Sequence, residues 1–527
     1  MRLQNEKKFD FSDLFIFEIA NNHQGVREHG LRIVDAMADI AERTLVRAAI
    51  KLQFRDLDTL IHPDHRENKE NKHISRFLST RLSEEEFALI IHEVKRRNLI
   101  TICTPFDEAS VDKIERMGIE VIKIGSCSAQ DWPLLERVAE TDKPVICSTG
   151  GLRFREIDKI VSFFQHRGVH FALMHCVSMY PTSNDKLHLN QIEAMRNRYP
   201  GIPIGFSTHE DPSNMNAVRV AYAKGARIFE KHVGIATDDI KLNTYSATPE
   251  QVQDWISAYK EARDACGEEG ERPIEEKEKS DLISLARGVY VRKEIKAGTA
   301  IKRSDVFFAM PLMSGQLASG EWRENLASDQ DYGISQPIRR DLLPRHNPGS
   351  KKEIIYTTIH AVKGMLNEAR IPLGHDFSVE LSHHYGIERF YEVGCTIIEC
   401  INREYAKKII IQLSGQWNPV HYHKKKDETF HILQGELEVE VEGRKKILLP
   451  GDTFWVPRGV WHGFGTRTGA IFEEISTKDH NDDSFYIDRA IMRMNREDRK
   501  TRLVNWGRHQ FDEAEGEISS SALLTSL

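Results

Sequence analysis

The chain has 527 residues, 40% hydrophobic and 29% charged, with a formal net charge of −7. This length predicts roughly two to four domains, and the mildly acidic balance without a basic stripe excludes a nucleic-acid binder. No run approaches the ~20 apolar residues of a membrane span, and the N-terminus lacks the apolar core of a signal peptide. Seven cysteines without a CxxC spacing exclude a disulfide framework. A reduced, cytoplasmic enzyme is the expectation. Cys103, Cys127, Cys147 and Cys176, at or just beyond predicted strand ends, are expected to be small buried hydrophobes.

From the N-terminus onward, short apolar runs end in polar residues: IFEIANNH, AIKLQF, ITICTPF, VIKIGS, VICSTG, ALMHCVS, GFSTH and FEKH. Each precedes a segment of helical spacing, such as LSEEEFALIIHEVKRR or PSNMNAVRVAYAKG. Eight strand–helix units predict an α/β fold, a (β/α)8 TIM barrel over residues 12–266. A doubly wound open sheet is the alternative. In order, the strand ends offer Glu18, Asn22 and His23; Lys51 and Gln53; Thr104; Lys123 and Ser126; Ser148 and Thr149; Ser178 and Tyr180; Ser207 and His209; Lys231 and His232. Lysines and hydroxyls converging on one mouth match phosphate oxygens. His209 and His232, on consecutive strand ends, suit a divalent metal acting as a Lewis acid on a carbonyl. Simple capping of strands by the lysines does not account for so many polar residues at successive ends.

After the barrel, EEGERPIEEKEKS has no apolar face and predicts a linker over 267–284. The next unit, ARGVYVRKEIKAGTAIKRSDVFFAMP, predicts short strands over 285–340. A join rich in Pro, Gly and basic residues, RRDLLPRHNPGSKK, leads to a third domain over 350–490, strand after strand from about Glu399 to Ile487. Residues 491–527 are polar and predict a disordered tail.

The third domain carries a second metal pattern. Gly415 is followed by five residues, His421, one residue and His423; Glu428 and Gly435 come next. Gly451 is followed by five residues, then Pro457, Arg458, Gly459 and His462. This resembles the cupin double motif, with Thr466 in place of its final Asn. The period of two along a strand puts His421 and His423 on one face, and Glu428 and His462 complete a site with three histidines and one carboxylate. A transition metal (Fe, Mn, Zn or Ni) is expected there. Nearby His383, His384, Tyr422, Lys424, Lys425, Lys426 and Arg458 suit a carbohydrate or its phosphate, although KKK fits a solvated turn better than a phosphate clamp.

Taken in order, EIANNHQG, KLQF, CTPF, KIGS, STGG, HCVSMYPT, GFSTH and EKH resemble the motifs of the sialic acid synthase family over roughly residues 12–265. The unit after the linker resembles the antifreeze-like (SAF) domain that follows the barrel in that family. The resemblance implies condensation of phosphoenolpyruvate with an aldose to a 3-deoxy-2-keto sugar acid. It implies that Lys51, Thr104, Lys123, Ser126, Ser148 and Ser207 hold the phosphate and carboxylate of phosphoenolpyruvate. His209 and His232 would bind Mn2+ or Mg2+, Glu18 would contact the acceptor, and Gln53, Ser178 and Tyr180 would complete the substrate site. It also implies a homodimer in which the SAF unit closes the partner's active site. The departures fall on the acceptor side: Ser178 replaces a family Asn, Thr208 an Asp, and Ser128 an acidic residue. Leu242 and Asn243 take the positions of an Asp-His pair, and Met310 that of the Arg that recognises an acyl-amino group. An acceptor other than N-acetylmannosamine is therefore expected. Two further readings make the cupin either a sugar isomerase or epimerase on an inactive barrel, or a sugar-sensing module. Retention of Lys51, Lys123 and both histidines opposes an inactive barrel.

Overall fold

A computed structural model describes residues 8–66, 70–342, 351–480, 482–503 and 506. The chain divides into two compact units, residues 1–273 and 274–527. No helix among the described residues is long and apolar enough to cross a membrane.

The first unit is a closed barrel of eight parallel strands in sequential order. They are β1 (Leu14–Glu18), β2 (Arg47–Phe54), β3 (Ile100–Pro105), β4 (Val121–Ile124), β5 (Val145–Ser148), β6 (Phe171–Cys176), β7 (Ile204–Thr208) and β8 (Ile228–His232). Alternation along each strand sorts the side chains. Leu14, Ile16, Ala49, Ile102, Val121, Ile146, Ala172, Met174 and Ile228 form a core inside the barrel. Phe15, Phe17, Ile50, Leu52, Ile122 and Phe229, of opposite parity, belong to the layer shared with the surrounding helices. Extending the inward parity by two or four residues brings Glu18, Lys51, Lys123, Ser148, Glu230 and His232 to the C-terminal mouth, and Ser207 follows the same parity from Gly205. Gly205 allows β7 and β8 to approach, since a Cβ there would lie 2.7 Å from that of Ile228.

The helices follow from local chemistry. In Glu84–Arg96, Ser83 and Glu86 form a capping box, and Phe87, Ile90, Ile91 and Val94 recur on the buried face. The last barrel helix, Pro249–Cys266, starts from a box of Thr248 and Gln251 and buries Trp255, Ile256 and Tyr259.

In the second unit, the expected linker is partly ordered: Glu276–Ser284 is a helix with no buried residue. The Lys279–Glu276 ion pair, one turn apart, favours that conformation without a packed face. A small β unit follows, with β9 (Gly288–Val291), β10 (Ala300–Ile301), β11 (Val306–Ala309) and β12 (Leu326–Ala327). β9 pairs antiparallel with β11 and β10 with β12, around a core that includes Val289, Val291, Ile301, Val306, Leu317 and Ile338.

The C-terminal domain opens with the helix Lys351–Glu368, ahead of the stretch from about Glu399 to Ile487 read as strands. It packs Ile354, Ile355, Ile359, Val362 and Leu366 into a core with Val379, Leu381, Ile411 and Ile471. The strands are β13 (Ser378–Ser382), β14 (Cys395–Asn402), β15 (Tyr405–Gln412), β16 (Trp417–Tyr422), β17 (Glu428–Gly435), β18 (Leu437–Val441), β19 (Arg444–Leu448), β20 (Thr453–Val456), β21 (His462–Gly465), β22 (Ala470–Thr477), β23 (Phe485–Tyr486) and β24 (Lys500–Leu503). They form one sheet of seven strands and one of five. β24 corrects the tail expectation: it pairs antiparallel with β13, and Trp506 packs against Phe377. The rest of the expected tail, 504–505 and 507–527, lies outside the described residues.

Candidate functional sites in the barrel and the cupin

At the barrel mouth the register sets the neighbours. Glu18 lies opposite Lys51 on one side and His232 on the other. Ser207 lies opposite Glu230, and Gln53 opposite Thr104. Lys51 Nζ is 2.5 Å from Glu18 Oε2 and donates to Glu230 Oε1 at 2.8 Å. Lys123 Nζ donates to Ser148 Oγ at 2.6 Å and is 3.4 Å from Glu230 Oε2. Ser207 Oγ donates to Glu230 Oε1 at 3.1 Å, and Gln53 Nε2 to Glu18 Oε2 at 3.2 Å. Ser126 Oγ accepts from the Gly150 amide at 3.0 Å. A Cβ at Gly150 would lie 2.4 Å from Ser178 Oγ and 2.7 Å from Ser126 Oγ, so these hydroxyls converge only because the residue between them is glycine. Thr104 Oγ1 is buried and has no hydrogen-bond partner.

The charges are strongly coupled. Burial opposes the Lys51 ammonium, but Glu18 and Glu230 outweigh it and raise its pKa. Burial lowers the pKa of Lys123, with Glu230 acting against the shift. Burial pushes the Glu230 carboxyl up, yet Lys123 and Lys51 hold it well below its usual range. For Glu18, burial and the neighbouring Glu230 prevail over Lys51 and raise the pKa.

The two imidazoles lie beside this cluster, ring centroids 5.3 Å apart. Burial, helped by the other histidine, lowers the pKa of His209 to about 3. Burial, helped by Lys51, takes His232 to about 3 as well. Both are therefore neutral, the form that ligates a metal. His209 Nδ1 donates to the Val177 carbonyl at 3.0 Å, leaving the Nε2 lone pair available. The rings of Tyr180 and Tyr245 pack on the pair, 4.3 Å from His209 and 5.1 Å from His232 respectively. This donor set fits a divalent metal.

Lys231 departs from the strand-end expectation. Its parity turns it outward, where it pairs with Glu210 at 2.9 Å and lies over Trp255. His23 and Thr149 also serve the scaffold: His23 Nδ1 accepts from the Gly25 amide, and Thr149 Oγ1 donates to the Met174 carbonyl. Glu230, Tyr245 and Arg55 stand against Lys51, His232 and Gln53 although none belongs to the candidate set read from the motifs. Glu230 was detectable, because it shares a strand face with His232 two residues on. Arg55 lies between the rings of Phe77 and Phe106, donates to Gln53 Oε1, and keeps a buried Nε without a partner.

In the C-terminal domain, His421, His423 and His462 bring one ligand atom each within 4.8 Å of the others. Their Nδ1 atoms donate to the carbonyls of Pro419, Asp483 and Val460, at 2.9, 2.5 and 3.0 Å, so each Nε2 is left as the free ligand. Glu428 Oε1 is 3.3 Å from His423 Nε2, and Oε2 is 3.0 Å from His462 Nε2. Neither Glu428 Oε2 nor His462 Nε2 has a hydrogen-bond partner, although both are buried. Acceptor atoms facing one point fit a bound cation. Lys426 Nζ, 2.6 Å from Glu428 Oε1, is buried there, whereas Lys425 reaches outward to Asp482 and Lys424 lies over Phe485. Arg458 is 3.7 Å from Asp427, and Tyr422 packs on Trp461 and Phe485.

A (β/α)8 barrel whose mouth gathers buried lysines, hydroxyls and paired imidazoles, followed by a histidine-rich β domain, defines the class. Residues 39–271 match the NeuB family, and residues 409–475 match the cupin domain. An uncharacterized protein of Methanocaldococcus jannaschii is 30% identical over 265 residues, 50% of this chain and 76% of its own length. The pseudaminic acid synthase of Campylobacter jejuni is 25% identical over 309 residues, 56% of this chain and 86% of its own. A crystal structure from Chromobacterium violaceum, of a protein assigned to spore coat polysaccharide biosynthesis as protein E, is 44% identical. It covers 62% of this chain and 98% of that one, with a TM-score of 0.60. The chain belongs to the NeuB family, the sialic acid and pseudaminic acid synthase homologues, and carries a C-terminal cupin domain.

Proposed function

We propose that the barrel condenses phosphoenolpyruvate with an aldose, giving a 3-deoxy-2-keto sugar acid and phosphate. The observation that carries this reading is the joining of Lys51, Lys123 and Ser148 to two neutral imidazoles at one mouth. Lys51 and Lys123, with Thr104, Ser126, Ser148 and Ser207, hold the phosphate and carboxylate. Glu18 and Gln53, joined by a hydrogen bond, orient the acceptor; Arg55, bonded to Gln53, adds a cation to that side. Ser178 and Tyr180 complete the wall. His209 and His232 would hold Mn2+ or Mg2+, which supplies Lewis acidity to the aldehyde oxygen.

The C3 methylene of phosphoenolpyruvate forms the new bond to the aldehyde carbon, whose oxygen gains a proton. Water adds to the cation left at C2 and loses a proton. Breaking the C2–O bond to phosphate then leaves the keto group. The lysines match the phosphate charge as it leaves.

We further propose that the small β unit is an SAF-type lid acting across a homodimer, and that the cupin binds a transition metal and handles carbohydrate. Met310, in place of an arginine, supports an acceptor without an N-acyl group. The test is metal-dependent phosphate release from phosphoenolpyruvate across a panel of aldoses. Release with an aldose other than N-acetylmannosamine is expected; no release with any aldose under any divalent metal would overturn the synthase reading.

A further inference from the structure

His421, His423 and Glu428 of the cupin line a cavity of about 690 Å3, which also reaches charged groups from several strands. Its lysines are matched by carboxylates. Lys426 contacts Glu428, Glu474 and Asp479 at 2.6, 2.9 and 3.1 Å. Lys408 is 2.9 Å from Asp479, and Lys500 and Arg502 both pair with Glu380. Arg499 differs. Among the described residues no carboxylate lies within ion-pair distance of it, and its Nε is buried without a hydrogen-bond partner. Burying such a donor unpaired is unfavourable, so its position calls for an acceptor.

The placement of Arg499 is structural rather than accidental. It immediately precedes β24, and its carbonyl accepts from the amides of His383 and His384 at 2.9 and 3.1 Å. Its guanidinium lies 5.6 Å from the centroid of the Tyr486 ring. Tyr486 in turn stacks on His421 at 5.3 Å and meets His384 at 5.2 Å. An unmatched, planar, always-charged fork therefore stands one aromatic ring away from the three histidines. That fork is suited to a carboxylate or a phosphate, which it can engage with two parallel hydrogen bonds. The cavity volume falls in the range of small-molecule sites.

We propose that the cupin cavity binds an anionic carbohydrate, with its carboxylate or phosphate on Arg499 and its hydroxyl or carbonyl groups toward His421, His423 and His462. The inference rests on the carbohydrate reading of the cupin and adds the charge of the ligand. It also fits the barrel chemistry, whose product would itself carry a carboxylate.

The test is calorimetric titration of the full chain with three probes sharing one pyranose: galactose, galacturonate and galactose 6-phosphate. At least one anionic probe is expected to bind the parent roughly tenfold or more tightly than galactose, the scale of a charge-assisted contact to a buried group. Whichever anion binds better identifies carboxylate or phosphate as the natural group. Arg499→Gln should abolish the preference and Arg499→Lys should keep part of it. The cupin's melting transition should be unchanged in both variants, which shows that the domain bearing Arg499 is folded, and phosphate release by the barrel should also be unchanged. Equal binding of all three probes, or a preference that survives Arg499→Gln, would overturn the anion site and leave the carbohydrate reading standing. Binding of none of the three overturns both, while the phosphate-release assay still judges the barrel separately.

Discussion

Glu230→Gln gives the sharpest test of the barrel's electrostatics. The Glu230 carboxylate lies between two buried ammoniums, 2.8 Å from Lys51 and 3.4 Å from Lys123. Gln keeps the shape and can still accept from Ser207, but the charge is lost. Removing one partner of a buried ion pair costs about 3–5 kcal/mol. Relief of the like-charge repulsion on Glu18 places the expected loss toward the lower end of that range. For a domain of this size that is roughly 10 °C in the unfolding transition of the barrel. The same argument predicts a compensating gain. An anion that binds the lysines must sit beside Glu230 in the parent chain but not in the variant. Inorganic phosphate should therefore stabilise the variant more than the parent, following the linkage between ligand binding and stability. The assay is a thermal melt followed by circular dichroism, with and without saturating phosphate. A transition unmoved by the substitution, or equal stabilisation of both chains by phosphate, would refute the reasoning.

Four further outcomes follow. His209→Ala or His232→Ala should abolish phosphate release while the circular dichroism spectrum stays native, since each removes a ligand from a strand end; near-normal release at limiting metal would contradict the assignment. The double variant His421→Ala, His423→Ala should leave less metal bound to the full chain by elemental analysis, without loss of condensation in the barrel. Truncation after Ala490 removes β24 and Trp506 and should lower the cupin's melting transition; an unmoved transition would contradict the role of that strand. Burial and the nearby Arg55 hold the pKa of His23 at about 4 against an ordinary 6.5, so the unfolded chain takes up a proton that the folded one refuses. The His23 contribution to barrel stability should be complete above pH 6.5 and fall by roughly 3 kcal/mol as the pH drops toward 4, alongside like contributions from His209 and His232, and His23→Gln should remove that share of the slope in a pH series of melts.

The barrel was legible because its strands carry two signals at once. Apolar runs mark the strands, and the parity that puts Ile16 inside also puts Glu18 at the mouth. The same parity in EKH separates Lys231 from His232 and places Glu230 at the mouth. Arg55 was hidden for another reason. Nothing near it in the sequence predicts that Phe77 and Phe106 will enclose its guanidinium, because Phe77 comes from a helix in the connection after β2.

The cupin shows where local patterns stop carrying information. Its histidines announce themselves because a metal site needs given residue types at short, fixed spacings. β24 has no such signature: KTRL contains two cations and a single apolar residue and, taken alone, resembles a solvated tail. It becomes a strand only when Lys500 and Arg502 meet Glu380 on β13, 120 and 122 residues earlier. That distant pairing also fixes Arg499 at the edge of the histidine cavity. A residue whose neighbourhood is built by contacts so remote in sequence has no local motif, and its role emerges only from the folded chain. The strand that best escapes prediction is thus the one that positions the cavity's unmatched charge, on the residue just before it.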